Sequence, residues 1–295
     1  MVDAEQVGAI VAEVVEAYFA AKNRGQGSRL SPGAVPAFPP PADKPGEGRD
    51  FPAHAEKQGL EAVNPELLGR MKNSTSARIG VGKTGPRLRT GTLLKLRSDH
   101  AAARDAVFRD VSPELLNRLG MPVVQSRCGS RQEHITRPDL GRRFSDEAVK
   151  TISAYGEKDR DVQVIVSDGL SSRAVEANLE NLYLVLADGL RGKHISLGPP
   201  FFVRFGRVAI EDEAAELLKA RVVCILIGER PGLATAESMS AYLCYDARVG
   251  QSESRRTVVS NIHAQGIPAA EAGAYLVDLI EKILQSKASG VDFKR

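Results

Sequence analysis

Two short apolar runs of the chain predict neighbouring strands of a buried, mostly parallel sheet. The first run covers 162–166 (Val-Gln-Val-Ile-Val), and the second covers 222–227 (Val-Val-Cys-Ile-Leu-Ile). A glycine-containing polar loop follows each run, at 167–171 and at 228–233. Runs of this kind between helical patterns are typical of strands covered on both faces. Because parallel sheets bind ligands at the carboxyl ends of their strands, we expect function in these two loops.

Around these runs, the hydrophobic periodicity predicts alternating helices and strands. The predicted helices cover 65–72, 93–108, 113–119, 146–155, 172–190, 212–220 and 269–287. The further predicted strands cover 123–125, 201–208, 241–245 and 257–259. Asn64, Ser112 and Ser145 stand where side chains that cap helices are expected. This alternation indicates an α/β fold.

The N-terminal part of the chain has a different pattern. Residues 1–22 predict an amphipathic helix with one continuous apolar stripe. The stripe consists of Val7, Ile10, Val11, Val14, Val15, Tyr18 and Phe19. Residues 23–60 are rich in proline and glycine, which predicts a disordered or extended linker. A lone helix of this length needs a partner surface, so it either folds back on its own domain or docks elsewhere. The globular remainder divides into a helical part, 61–160, and an α/β part, 161–295.

The composition argues against several classes of function. The chain has 295 residues and a net charge of +3, which is too small to indicate nucleic-acid binding by itself. Its three cysteines have no paired spacing, which favours reduced thiols in the cytoplasm. No apolar run approaches the roughly 20 residues that span a bilayer, and the N-terminus has no secretory pattern. We therefore expect a cytoplasmic protein that binds neither nucleic acid nor a membrane.

No catalytic constellation stands out in the sequence. Residues 79–87 are similar to a phosphate-binding loop, but Ala77 replaces the first glycine of that pattern. A basic surface or interface loop is the alternative. The five histidines show no metal-ligand spacing with one another or with cysteine, and neither a nucleophile elbow nor a dinucleotide fingerprint is present. Polar strand-end loops without an evident nucleophile indicate a binding module more than a self-sufficient enzyme.

Residues 261–266 differ by one position from the pattern D-x-H-x-x-G. In one class of cobalamin proteins, that pattern supplies a histidine ligand to cobalt, and its aspartate orients the imidazole. Asn261 stands in place of the aspartate and cannot provide a carboxylate. His263 is therefore either a ligand without that support or a polar loop residue before the last predicted helix.

Several long segments together resemble the small subunit of the ethanolamine ammonia-lyase family. The segments are 136–143, 167–171, 201–208, 228–233, 260–263 and 287–290. The likeness extends from about residue 64 to the C-terminus and rests on strings much longer than the motifs above. It implies a Rossmann-like, mostly parallel sheet flanked by helices, with 161–295 as the cobalamin-binding part.

The resemblance implies an adenosylcobalamin-dependent lyase that converts ethanolamine to acetaldehyde and ammonia. In this family a large subunit holds the substrate, and the small subunit closes over the cofactor within a hetero-oligomer containing several copies of each. The implied cofactor contacts are Val208, Glu229 and Val258, the last at a position where the family usually has cysteine. The family keeps the cofactor's own dimethylbenzimidazole on cobalt, which disfavours His263 as a ligand. No catalytic or metal-ligating residue is therefore assigned to this chain.

The chemistry of the residues agrees with these contacts. Val208 can pack on the apolar corrin, and Glu229 can accept hydrogen bonds from amides or ribose hydroxyls. The backbone amides of Gly169 and Ser171, at a predicted helix start, suit polar or anionic groups. The arginines of 136–143 have three possible roles. They contact the large subunit, they contact the cofactor's phosphate, or they form a salt-bridge cluster on the surface.

The family is also associated with protein-shelled bacterial microcompartments. The N-terminal helix on its linker resembles the peptides that direct cargo into them, which implies shell proteins as further partners. Two alternatives stay open: an independent Rossmann-like enzyme such as a nucleotide-dependent transferase, and a microcompartment assembly protein without a cofactor. The missing nucleotide-binding patterns argue against the first, and the polar strand-end loops argue against the second.

Overall fold

The computed structural model describes residues 64–75 and 77–293. The predicted helix of 1–22 and the linker of 23–60 lie outside the described residues. The chain divides into two compact units between Thr92 and Leu93. The domain boundaries drawn from the sequence stay predictions.

The described part of the first unit contains a capped helix and a small hairpin. Helix α1, Pro65–Asn73, begins as predicted, because Asn64 Oδ1 accepts a hydrogen bond from Leu67 N at 2.9 Å. Strands β1 (Lys83–Thr84) and β2 (Arg87–Leu88) pair antiparallel. In a phosphate-binding loop the lysine and threonine would open a helix, whereas here they form β1. The hairpin excludes that interpretation.

Helices and six paired strands make up the second unit. The helices are α2 (Thr90–Phe108), which contains the unit boundary, α3 (Pro113–Arg118), α4 (Arg131–Thr136), α5 (Asp146–Tyr155), α6 (Ser172–Gly192), α7 (Ile210–Leu218) and α8 (Ala269–Ser286). The strands are β3 (Val123–Gln125), β4 (Val162–Ser167), β5 (Phe201–Arg204), β6 (Val222–Gly228), β7 (Met239–Tyr245) and β8 (Thr257–Ile262). Short 3-10 turns cover Leu140–Arg142, Glu253–Arg255 and Gly290–Asp292. Within the described residues, no helix combines the length and apolar character required to cross a lipid bilayer.

The six strands form one mostly parallel sheet in the order β3-β5-β4-β6-β7-β8. The first four strands of this order run parallel, and β7 is antiparallel to both of its neighbours. The two apolar runs are adjacent, with Val162 opposite Val222 and Ile165 opposite Ile225. This arrangement confirms an α/β fold with a mostly parallel sheet flanked by helices.

Each face of the sheet carries a hydrophobic layer, because successive side chains of a strand point to opposite faces. Val164 and Leu226 belong to the layer that includes residues of α6 and α8. Ile165 and Ile225 belong to the layer that includes residues of α5 and α7. We call this second side the α7 face.

Strand β5 is shorter than the predicted strand at 201–208, so the end of that prediction was wrong. The backbone leaves the sheet at Phe205, whose φ of +60° lies in the left-handed region that residues other than glycine rarely adopt. Phe205 N donates to Asp168 Oδ1 at 2.8 Å, which satisfies this amide outside the sheet. Helix α7 then begins at Ile210, and Val208 lies in the loop before it rather than in a strand.

Candidate functional site

The loops that follow β4 and β6, in which the sequence predicted function, meet at one edge of the sheet. Leu170 N donates to Gly228 O at 2.9 Å, which joins the first loop to the end of β6. A Cβ atom at Gly228 would lie 2.1 Å from Ser171 O, so this approach requires glycine. The two loops therefore form one rigid edge, directly before Glu229.

The prediction that the amides of Gly169 and Ser171 are available to a ligand was wrong. Gly169 N donates to Ser167 Oγ at 3.3 Å, and Ser171 N donates to Asp168 O at 3.0 Å. Both amides serve the turn itself, because a buried backbone donor needs a partner within the protein. Neither amide is therefore available to a ligand.

Glu229 and Val258 are joined by a residue that the sequence did not single out. Glu229 directly follows β6, and its Oε1 accepts a hydrogen bond from Tyr242 Oη at 3.0 Å. Tyr242 lies in β7 and is the register partner of Val258 in β8. Side chains at such cross-strand positions are close neighbours. A carboxylate, a phenol and the 41%-exposed Val258 therefore stand side by side.

Val208 lies on the same side of the sheet. It is half-buried and packs against the hydrophobic layer of the α7 face, to which Tyr242 also belongs. Its carbonyl oxygen accepts a hydrogen bond from Glu211 N at 3.1 Å, in the first turn of α7. Helix α7 thus holds Val208, and the structure brings all three predicted cofactor contacts to the α7 face.

A buried ion-pair group ties α7 to the start of β8. Arg256 Nη2 lies 2.7 Å from each carboxylate oxygen of Asp212, and Arg256 Nε donates to Glu211 Oε1 at 2.5 Å. The three side chains are at most 4% exposed. Since Arg256 is two residues before Val258, these contacts fix α7, which directly follows the loop of Val208, relative to the strand that carries Val258.

Arginines border both Val208 and Glu229. Arg207 precedes Val208, and Arg230 follows Glu229. Burial lowers the pKa of the Arg207 guanidinium, and the positive charges of Arg230 and Arg142 lower it further. Arg207 Nη2 donates to His134 O at 2.7 Å, whereas its buried Nε has no hydrogen-bond partner. We call Arg207 and the two arginines whose charges act on it, Arg142 and Arg230, the cationic group.

The arginines of 136–143 have different environments. Arg137 is exposed and pairs with Asp139 at 2.8 Å, which is a surface salt bridge. Arg142 is exposed and lies close enough to act electrostatically on Arg207, whose backbone N donates to the carbonyl of the neighbouring Gly141 at 2.8 Å. The backbone carbonyl of Arg143 accepts from Arg127 N at 2.9 Å.

Sequence reasoning missed a buried polar cluster at the carboxyl end of β4. Asp168 pairs with Arg131 at 2.7 Å, and His134 Nε2 lies 2.9 Å from Gly169 O. Burial and the charges of Arg207 and Arg131 lower the pKa of His134 to about 4, so the imidazole is neutral and Nε2 donates. An aspartate directly after a buried strand was the one available signal, because such a group requires a partner.

His263 is held within its own loop. Its Nδ1 accepts from Gln265 N at 3.2 Å, and its Nε2 donates to Asn261 Oδ1 at 2.7 Å. The amide oxygen of Asn261 thus takes the place of a carboxylate as the partner of the imidazole. Among residues 64–75 and 77–293, no three His, Cys, Asp or Glu residues form a group suited to a metal ion.

Comparison with known proteins gives one consistent family. The sequence model of the ethanolamine ammonia-lyase light chain (EutC) matches residues 65–294. The ethanolamine ammonia-lyase small subunit of Clostridium tetani is 55% identical over 231 residues, which is 78% of each chain. The Fusobacterium nucleatum protein of the same name is 51% identical over 233 residues, or 79% of each chain.

A relative from a third genus has the same name and a similar extent. The ethanolamine ammonia-lyase small subunit of Listeria innocua is 47% identical over 234 residues, which is 79% of this chain and 80% of that one. The described sheet and all three positions on its α7 face lie within the matched range. The chain therefore belongs to the ethanolamine ammonia-lyase small-subunit (light-chain) family.

Proposed function

We propose that this chain is the small subunit of an adenosylcobalamin-dependent ethanolamine ammonia-lyase, binding the cofactor at its interface with a large catalytic subunit. The observation that carries the proposal is on the α7 face, where Val208 packs against the same hydrophobic layer as Tyr242, the residue that adjoins both Glu229 and Val258. The names of the relatives support a large-subunit partner, because a small subunit implies a larger one.

The residues of the α7 face fit the chemistry of this cofactor. A corrin is a wide apolar ring fringed with amides, and its nucleotide tail carries a phosphate diester. Val208 and Val258 offer apolar contact, and Glu229 has an oxygen left to accept a hydrogen bond. The cationic group of Arg142, Arg207 and Arg230 suits the phosphate, for which guanidinium groups are favourable partners.

The chain's own part in the reaction is to bind and orient. When bound, adenosylcobalamin supplies the radical chemistry of the lyase reaction. Glu229 is held by the rigid β6 edge and by Tyr242, so its carboxylate is already directed before the cofactor arrives. Val258 keeps an apolar surface at the position where the family usually has cysteine, and a van der Waals contact replaces the thiol contact. In this proposal the sheet is a Rossmann-like platform, and the large subunit holds the substrate.

Reconstitution tests the proposal. The purified chain is mixed with adenosylcobalamin, with and without a large subunit of the same family, and the corrin absorption and acetaldehyde formation from ethanolamine are followed. We expect turnover only when both subunits and the cofactor are present. Turnover by this chain alone, or a complex that forms without retaining the corrin, would contradict the proposal.

We further propose that the protein lies in the cytoplasm within a bacterial microcompartment and that residues 1–22 dock it on the shell. The apolar stripe and the linker of 23–60 support this, although both lie outside the described residues. Deleting 1–22 should abolish co-purification with shells and leave turnover with the large subunit unchanged. Shortening the linker alone is the matched control and should preserve the association. Shell association without 1–22 would count against this docking.

A further inference from the structure

Tyr242 occupies the middle of the candidate site. Along the register it is flanked by Ile225 of β6 on one side and by Val258 of β8 on the other. The ring is half-buried, packs against the hydrophobic layer of the α7 face and directs its hydroxyl to Glu229 at 3.0 Å. Tyr242 thus adjoins both Glu229 and Val258, two of the proposed cofactor contacts.

The hydroxyl proton of Tyr242 is committed to Glu229. Burial raises the pKa of Tyr242 to about 12, and the negative charge of Glu229 and the hydrogen bond to it act in the same direction. The phenol therefore stays protonated at physiological pH and donates its single hydrogen to the carboxylate. What the pair can offer to a ligand is two acceptors: a lone pair on Tyr242 Oη and the second carboxylate oxygen of Glu229.

Because the pair has two hydrogen-bond acceptors and no free donor, it favours ligands that carry hydrogen-bond donors. A primary amide carries two N–H donors and matches the pair, whereas a carboxylate presents only acceptors and is repelled. A cationic ligand is less favoured, because Arg230 directly follows Glu229 and Arg207 lies close to Arg230. An uncharged N–H donor at the rim of an apolar body is therefore the group that this pair recognises.

We propose that Tyr242 is a further cofactor-binding residue, which lays its ring beside Val258 and forms with Glu229 a two-acceptor site for one primary amide of the corrin rim. This inference rests on the proposed function, since it names the cofactor group that the site would take. It also gives Tyr242 a second role, because the hydrogen bond that it donates holds the Glu229 carboxylate in place.

Cobalamin derivatives with a single altered amide provide the test. Cobalamin and its monocarboxylic acids, in which one peripheral amide is hydrolysed, are titrated against the complex of the full-length chain with the large subunit. We expect wild type to bind one of these acids about tenfold more weakly than cobalamin, because acceptors then face acceptors. Tyr242→Phe should bind cobalamin itself about tenfold more weakly.

The ratio of the affinities for cobalamin and for its monocarboxylic acid shows whether Tyr242 binds the cofactor or only supports the fold. Tyr242→Phe should discriminate less than wild type, and Glu229→Gln, which introduces an amide donor, should reduce or reverse the discrimination. Tyr183→Phe is the matched control, because Tyr183 is a partly buried tyrosine of the opposite layer. Its affinity and discrimination should equal those of wild type.

The outcomes distinguish the inference from the proposed function. If the wild-type complex does not bind cobalamin, the proposed function fails. If wild type binds but Tyr242→Phe has the same affinity and the same discrimination, the role of Tyr242 is overturned. If Tyr242→Phe does not fold, Glu229→Gln alone decides, and unchanged discrimination in that variant overturns the two-acceptor site.

Discussion

Arg256 and Asp212 form a buried ion pair in which one guanidinium nitrogen lies 2.7 Å from both carboxylate oxygens. The two residues are 44 positions apart and connect the start of β8 to the first turn of α7. This pair thereby links the positions of Val208 and Val258.

Removing this guanidinium should destabilise the chain strongly. Arg256→Met leaves the carboxylates of Glu211 and Asp212 buried without a cationic partner, although Gln251 still donates to Asp212 at 3.0 Å. Removing one partner of a buried ion pair typically costs about 3–5 kcal/mol of unfolding free energy. Urea unfolding measures the loss. Arg255→Met is the control, because Arg255 pairs with Asp292 at the surface and should contribute about 1 kcal/mol or less. Similar losses for the two variants would refute the importance of the buried pair.

Gly228→Ala should disrupt the edge that carries Glu229. The added Cβ would lie 2.1 Å from Ser171 O and 2.6 Å from Asp168 O, and backbone atoms cannot move aside as side chains do. We expect a loss of about 1–3 kcal/mol or more in urea unfolding. Gly192→Ala, which meets nothing within 4 Å in the last turn of α6, should be neutral or slightly stabilising. A Gly228→Ala protein as stable as wild type would contradict the observed packing.

His134 should make stability depend on pH in a defined window. Its pKa is lowered from 6.5 to about 4 by burial and by the charges of Arg207 and Arg131. Above pH 6.5 neither state is protonated; between 6.5 and 4 the unfolded state binds a proton that the folded state does not. Stability is therefore lost as the pH falls through this window, by up to about 3 kcal/mol.

The measurement compares urea unfolding at several pH values between 7 and 4. Relative to wild type, His134→Gln should lose up to about 3 kcal/mol less stability across this range, because glutamine does not titrate. His194→Asn, at an exposed position, should follow the wild-type curve. Parallel curves for His134→Gln and wild type would show that the buried imidazole does not set this dependence.

A charge at Val258 should weaken the proposed cofactor site without unfolding the chain. Val258 is 41% exposed, so Val258→Asp should fold, but a carboxylate against an apolar ring should reduce cobalamin affinity by at least about tenfold. Val258→Cys should stay within about threefold of wild type. Leu184→Asp, at a 49%-exposed position of α6, is the control and should bind normally. Equal affinity of all three variants would place the corrin away from β8.

Local patterns in the sequence predicted most of the secondary structure. The runs at 162–166 and 222–227 became adjacent parallel strands, because continuous apolar runs are stable only when both faces are covered. Asn64 and Ser145 accept the expected hydrogen bonds at helix starts, since capping depends on residues three positions apart. The long family-like segments identified the family for the same reason: they can be recognised along the chain without knowing what they contact.

Only the tertiary structure decided how the site is built. The end of β5 depends on Phe205 N reaching Asp168, 37 residues away, so periodicity extended that strand too far. Tyr242 was an ordinary strand residue in the sequence, and its bond to Glu229 exists because β7 turns back antiparallel on β6. The partnership of Arg256 and Asp212 likewise required the folded chain to bring the first turn of α7 to the residue before β8. Periodicity and capping act over a few residues, whereas these contacts join residues that only the folded chain brings together.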